Sequence, residues 1–168
     1  MESVFLGIGT NLGDREENLK KAIALIEEHI GRVRSASSVY ETEPWGFKSG
    51  SDFLNITVEV KTRLGPSGLL GRILMIESLL GRLREGKGYE SRIIDIDILL
   101  YGDQVFENKV LVIPHPKIQD RRFVLVPLCE IAGDLIHPVL EKSFRELLKV
   151  CRDRSKVKNH NNPLSAKL

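Results

Sequence analysis

The sharpest chemical signal in this 168-residue chain is Asp95-Ile96-Asp97. Residues two apart on a strand point to the same face, which puts the two carboxylates side by side with Cα atoms about 7 Å apart. Ile94, Ile96, Ile98 and Leu100 alternate with them and form the face to be buried. Neighbouring like charges repel, and a divalent cation removes that cost. Hard oxygen ligands suit Mg2+, above all where phosphates complete its shell. The plainer reading is two solvated acids on an exposed sheet face. Immediately upstream, residues 81–92 carry Arg82, Arg84, Lys87 and Arg92 among Gly81, Gly86 and Gly88. Cations beside a carboxylate pair fit a metal-and-arginine cradle for a polyphosphate, and the glycines would let the segment close over a ligand. A solvated basic loop fits the same spacing equally well.

Phe53 and Asn55 share the non-core face of their own strand. If this is the aspartates' face, a flat ligand could stack on the ring and bond the amide; a cross-strand filler and a surface amide are the commoner occupants. Glu77 falls on or beside an apolar helix stripe, a position that requires a partner, either an arginine or a ligand amine. His115 between Pro114 and Pro116 could reach a phosphate, and Arg121 and Arg122 give another basic point, although lone loop histidines and surface arginines are usually incidental. Gly7-Ile8-Gly9-Thr10-Asn11-Leu12-Gly13 follows a strand and precedes a helix. Its last glycine comes one residue too late for a dinucleotide fingerprint, and no P-loop lysine follows. It reads as a turn needing tight backbone.

Around these residues the elements are legible. Val4–Ile8 reads as a buried strand, and Asp14 as the N-cap of a helix whose stripe is Leu19, Ala22, Ile23, Ile26 and Ile30, stopped at Gly31. Val33–Thr42 alternates weakly, and 43–52 is loop-like. Phe53–Lys61 is a strand, Pro66 opens a second helix with Leu69, Leu70, Ile73, Ile76 and Leu80 inward, and Ile93–Leu100 is a further strand. Val105-Phe106 and Val110–Ile113 can form a hairpin, and short helical pieces follow up to Ile131. Ser143 and Glu146 fit a capping box for a helix over Phe144–Cys151. The order β-α-β-β-α-β with a C-terminal appendix predicts an α+β, ferredoxin-like sandwich with an antiparallel sheet. It makes one domain over 1–151, followed by a polar tail over 152–168 expected to be disordered.

Charge narrows the partners. With 25 basic and 23 acidic residues the net charge is +2, which gives nucleic-acid binding no global support. No apolar run reaches membrane-spanning length. Cys129 and Cys151 form neither a CxxC pair nor a zinc spacing, so the expected compartment is the cytoplasm.

Taken in order, these motifs resemble the 6-hydroxymethyl-7,8-dihydropterin pyrophosphokinase family. The likeness runs from about Val4 to Leu148. It rests on Gly9-Thr10-Asn11-Leu12-Gly13, Tyr40-Glu41-Thr42-Glu43-Pro44-Trp45-Gly46, Phe53-Leu54-Asn55, Glu77, Arg82, Arg84, Arg92 and Asp95-Ile96-Asp97-Ile98-Leu99. Pro114-His115-Pro116, Arg121-Arg122-Phe123 and Pro127-Leu128 complete it. The resemblance implies transfer of pyrophosphate from ATP to the hydroxymethyl oxygen of the pterin, with release of AMP, in folate biosynthesis. It assigns a pair of Mg2+ ions to Asp95 and Asp97, and Arg82 and Arg92 to the transferring group. Glu77, Arg84, Arg92, Ile98, His115 and Arg121 would line the ATP site. The pterin would stack between Phe53 and Phe123, its polar edge met by Thr42, Asn55 and the backbone near Glu43 and Trp45. No protein partner is implied. The chain departs from the family pattern at Ser91, Tyr89, Phe53, Leu74, Val110 and Val112, with Lys109 a candidate replacement for a missing cation. Two competing readings are another metal-dependent phosphotransferase or nuclease built on the same aspartate pair, and a non-enzymatic ferredoxin-like binding module.

Overall fold

The computed structural model describes residues 1–45, 50–82 and 93–160. Its centre is a six-stranded antiparallel sheet of order β5-β1-β4-β3-β8, with β2 beside β3 on the same flank of β4. The strands are β1 (Glu2–Thr10), β2 (Gly31–Ala36), β3 (Tyr40–Thr42), β4 (Phe53–Thr62), β5 (Asp95–Tyr101) and β8 (Val157–Asn159). A separate hairpin joins β6 (Phe106–Glu107) to β7 (Val112–Ile113). Reduced to β1, α1 (Arg15–His29), β2/β3, β4, α2 (Pro66–Leu79) and β5, this is the expected ferredoxin-like arrangement.

Helices α1 (Arg15–His29) and α2 (Pro66–Leu79) cover one face of the sheet. Their stripes, Leu19, Ala22, Ile23 and Ile26 on α1 with Leu69, Ile73 and Ile76 on α2, pack on Val4, Leu6 and Ile8 of β1 and Leu54, Ile56, Val58 and Val60 of β4. Asp14 caps α1 by accepting from the Glu17 N–H, and Pro66 sits at the start of α2. Gly31 follows α1 because the chain passes tightly there: a Cβ would lie 2.1 Å from the Lys61 carbonyl oxygen. On the opposite face, α3 (Arg122–Ala132) and α4 (Phe144–Val150) bury Leu125, Leu128, Phe144 and Leu147 against Phe5, Leu99 and Leu100. They cover only part of that face, and the uncovered remainder is the site.

Four differences from expectation have physical causes. The strand expected over Val33–Thr42 is broken into β2 and β3. Ser37 spans the gap, its N–H donating to the Thr57 carbonyl at 2.8 Å and its hydroxyl accepting from the Thr57 N–H at 3.0 Å. A bulge in β5 opposite Phe5/Leu6 reverses the alternation, so Leu100 joins the α3/α4 core instead of the Ile94, Ile96, Ile98 face. The short pieces expected before Ile131 are a 3-10 turn over Ile118–Asp120 and one eleven-residue helix, which runs on through Pro127 because burial of Leu125, Pro127 and Leu128 outweighs the lost hydrogen bond. The fourth concerns the expected disordered tail over 152–168. Its described part is structured, with β8 pairing Val157 to Thr42 and Asn159 to Tyr40. The α4 capping box is formed as read, with Ser143 and Glu146 bonded reciprocally.

Candidate active site

The floor of the site is three strands wide. Asp95 of β5 pairs with Gly9 of β1, which pairs with Asn55 of β4; Asp97, Gly7 and Thr57 form the next row. Gly7 and Gly9 are therefore mid-strand, not in a turn as their spacing had indicated; of the three glycines in the motif only Gly13 has a left-handed φ, of 69°. Their role is to have no side chain. A Cβ on Gly9 would meet the Asn55 Oδ1 at 2.8 Å, and one on Gly7 the Leu99 side chain at 3.4 Å. A trench consequently runs between the carboxylates and the amide. On the other face of the same strands, Ile8, Ile56 and Ile96 anchor the floor in the main core.

One cleft opens over the β4 side of this floor. Thr42, Glu43, Trp45, Phe53, Asn55 and Phe123 all line it, together with Arg121 and both aspartates. The Asn55 amide donates to the Thr42 hydroxyl at 2.6 Å, with both residues under 10 % exposed. The buried pair is thus fixed in orientation before any ligand arrives. The Arg121 guanidinium carbon lies 4.7 Å from the Trp45 ring centre and 5.8 Å from that of Phe123. This cation–aromatic arrangement gives the cleft flat walls beside a positive charge.

A second, wider cleft, about 670 Å3 in volume, lies outside the free edge of β5, between α2 and the β6/β7 hairpin. Glu77, Arg82, Ile98, His115 and Arg121 line it, as do Leu74, Val110 and Val112, three positions at which the chain departs from the family pattern, and Lys109, the candidate replacement cation. Asp95, Asp97 and Arg121 line both clefts. Glu77, only 2 % exposed, accepts from the Ile96 N–H at 3.0 Å and from the Arg82 guanidinium at 2.7 Å. The same Arg82 nitrogen lies 2.6 Å from Asp95 Oδ1. Burial pulls the Arg82 pKa down, but Asp95 and Glu77 outweigh it and hold the pKa above its ordinary value. The His115 ring nitrogen Nδ1 accepts from the Lys117 N–H at 3.1 Å, which leaves the proton on Nε2. Burial, then the Arg121 charge, lowers its pKa to about 4, Lys117 acting the same way and Asp95 opposing them. The imidazole is neutral at physiological pH.

Every expected site residue within the described segments thus lines one cleft or both. Arg84 and Arg92, with Lys87, Tyr89 and Ser91, lie outside the described residues. Sequence reasoning missed Gly7 and Gly9 as the trench, Thr57 and Leu99 beside it, and Lys117, whose ammonium is 5.7 Å from the Trp45 ring. Alternating glycines on the strand between an Asp-x-Asp and a Phe-x-Asn were the available signal.

Among the described residues no group of three or more His, Cys, Asp or Glu side chains could by itself hold a metal ion. Two carboxylates with an open trench nonetheless fit Mg2+, which keeps several waters and takes substrate phosphates in preference to a full protein cage. Asp95 already carries a cation, the Arg82 guanidinium.

The sequence model of the family described as 7,8-dihydro-6-hydroxymethylpterin-pyrophosphokinase (HPPK) matches residues 5–133. The chain belongs to this family. The 2-amino-4-hydroxy-6-hydroxymethyldihydropteridine pyrophosphokinase of Aquifex aeolicus is 42% identical over 146 residues, covering 87% of this chain and 90% of that one. The protein of the same name from Bacillus subtilis is 44% identical over 128 residues, 76% of each chain. The wild-type HPPK-DHPS of Plasmodium falciparum shares the fold, with a TM-score of 0.72 at 20% identity over 88% of this chain. This chain spans 44% of that longer one. As a member of the HPPK family, the protein is an enzyme, a diphosphotransferase that moves pyrophosphate to hydroxymethyldihydropterin in folate biosynthesis.

Proposed function

We propose that the β4-side cleft takes the pterin, the β5-edge cleft takes ATP, and the reacting oxygen and phosphorus meet over Asp95 and Asp97. The observation that carries this assignment is that Asp95, Asp97 and Arg121 are common to both clefts. The pterin lies flat between Phe53 and Phe123, with Asn55, Thr42 and the backbone near Glu43 and Trp45 at its polar edge. ATP runs along β5. The Ile96 N–H points away from β1 toward Glu77, so the backbone of Ile98, two residues on, faces the same open edge and can meet a purine. His115, as a neutral Nε2–H donor, and Arg121 face the phosphates, and Arg84 and Arg92 join them from the segment beyond Arg82.

The hydroxymethyl oxygen bonds to the β-phosphorus and gives up its proton to solvent, the bond from that phosphorus to the α,β-bridging oxygen breaks, and AMP leaves carrying that oxygen. A pair of Mg2+ ions held by Asp95 and Asp97 would supply charge neutralisation at the entering and leaving oxygens. The chain's own residues position and stabilise. The rigid Thr42–Asn55 pair aligns the pterin, the trench over Gly7 and Gly9 admits it close to the carboxylates, and Arg82, released from Asp95, places its charge on the transferring group. No nucleic acid or membrane takes part, and no obligatory protein partner is needed. The workplace is the cytoplasm, in keeping with two free cysteines.

Asp97→Ala tests the assignment. Asp97 is half-buried on the ligand face and outside both cores. Turnover should fall by about a thousandfold or more, with Mn2+ binding in the presence of an ATP analogue lost and the melting temperature within about 3 °C of wild type. A variant that unfolds, or one that turns over normally, contradicts it.

A further inference from the structure

The family match ends at residue 133, yet the segment 152–160 is bonded behind the walls of the pterin-side cleft, to the start of α3 and to β3. Helix α3 starts at Arg122 beside Arg121 and Phe123, both cleft residues, and Arg121 makes no side-chain cap. The missing cap comes from far along the chain. Asp153 Oδ2 accepts from the Arg122 N–H at 2.9 Å, placing a carboxylate at the helix N-terminus. Asp153 is itself held, its Oδ1 accepting from the Ser155 N–H at 2.9 Å and from the Ser155 hydroxyl. Partial burial would raise the pKa of this carboxyl, but those bonds and the Arg122 charge hold it below its ordinary value. Four residues further on, β8 pairs Val157 with Thr42 and Lys158 with Glu41, and the His160 N–H donates to the Val39 carbonyl at 2.8 Å. Thr42 is the residue that orients Asn55. The body of α3 is fastened separately: Glu130 accepts from the Ser38 N–H at 2.9 Å and the Tyr40 hydroxyl at 2.6 Å. Only the first turn of α3 is left for Asp153 to fix.

We propose that residues 152–160 act as a clasp that positions both walls of the pterin cleft, with Asp153 as the positioning residue for Arg121 and Phe123 and β8 as the brace behind Thr42 and Asn55. The clasp touches neither the β5 edge nor α2, so its effect falls first on the pterin and reaches ATP only through Arg121, which lines both clefts. This rests on the pterin occupying that cleft, and the experiment separates the two ideas.

The test measures KM for both substrates, kcat and the emission of Trp45, the single tryptophan, in full-length Asp153→Ala, Asp153→Asn, Lys158→Pro and Asn55→Ala. Asp153→Ala and Lys158→Pro should raise the pterin KM about five- to tenfold, the scale of a lost cap, with the ATP KM within about twofold. Asp153→Asn keeps an acceptor for the Arg122 N–H and should recover most of the loss. Trp45 emission of the ligand-free Asp153→Ala protein should differ from wild type, since the Arg121 guanidinium against its ring is no longer fixed. An unchanged pterin KM in Asp153→Ala alongside a raised one in Asn55→Ala overturns the clasp. An unchanged pterin KM in Asn55→Ala overturns the cleft assignment, and the clasp with it. Equal rises for both substrates reduce Asp153 to a general stabiliser and also overturn the proposal.

Discussion

At the scale of single residues, the site is made as much by what is missing as by what is present. Asp95 and Asp97 share a sheet face with Asn55 only because β1 passes between them with Gly7 and Gly9. The aspartate pair was legible from its spacing. The glycines were not, because their motif resembles a turn and nothing in one sequence shows that it lies mid-strand between the two partners. His115 carries a consequence for pH. Its pKa is lowered to about 4, while an unfolded chain takes up the proton near 6.5. As pH falls from 6.5 toward 4 the unfolded state gains protons that the folded one refuses, so this histidine's contribution to stability is present above 6.5 and lost below it. His137 is shifted in the same direction, so the comparison must be differential. The melting temperature of wild type should drop relative to His115→Gln between pH 6.5 and 4.5; parallel curves would show that the folded state accepts the proton.

At the scale of elements, Glu77 joins α2 to β5. Its position on an apolar stripe announced that it needed a partner, and both an arginine and a ligand amine were open. The structure supplies the arginine, Arg82, and adds the Ile96 backbone N–H, a partner that no side-chain pattern reveals. Glu77→Ala leaves that buried N–H without its acceptor and Arg82 without one of its carboxylates, and should cost about 2–4 kcal/mol in chemical denaturation. Glu77→Gln keeps an acceptor and should cost less than half as much. Equal losses in the two variants would mean that the charge, and not the strut to β5, is what matters. The helices, β1, β4 and β5 were readable from periodicity, Asp14, Pro66 and the Ser143–Glu146 box. The break at Ser37 and the bulge in β5 were not, since both depend on what the neighbouring strand presents. The continuity of α3 through Pro127 depends in the same way on the core it buries.

At the scale of the whole molecule, the fold works as a plate with two unequal coverings. Helices α1 and α2 cover one face, while α3 and α4 cover part of the other and leave the three-strand floor open. The order of elements made this architecture legible, and the resemblance brought the nucleotide and the pterin. What neither provided was the contribution of the C-terminal segment. Its polar, aperiodic composition reads as a tail, whereas its order comes from an edge strand and a helix start far away in sequence. Such long-range capping leaves no local trace. The central claim is that two substrates meet at Asp95 and Asp97 for transfer of a pyrophosphoryl group. The most direct measurement is the nucleotide product formed from ATP and Mg2+ with and without 6-hydroxymethyl-7,8-dihydropterin. The account predicts AMP, formed only when the pterin is present and in equal amount to the pterin diphosphate. ADP as the product, or AMP at the same rate without the pterin, would contradict it.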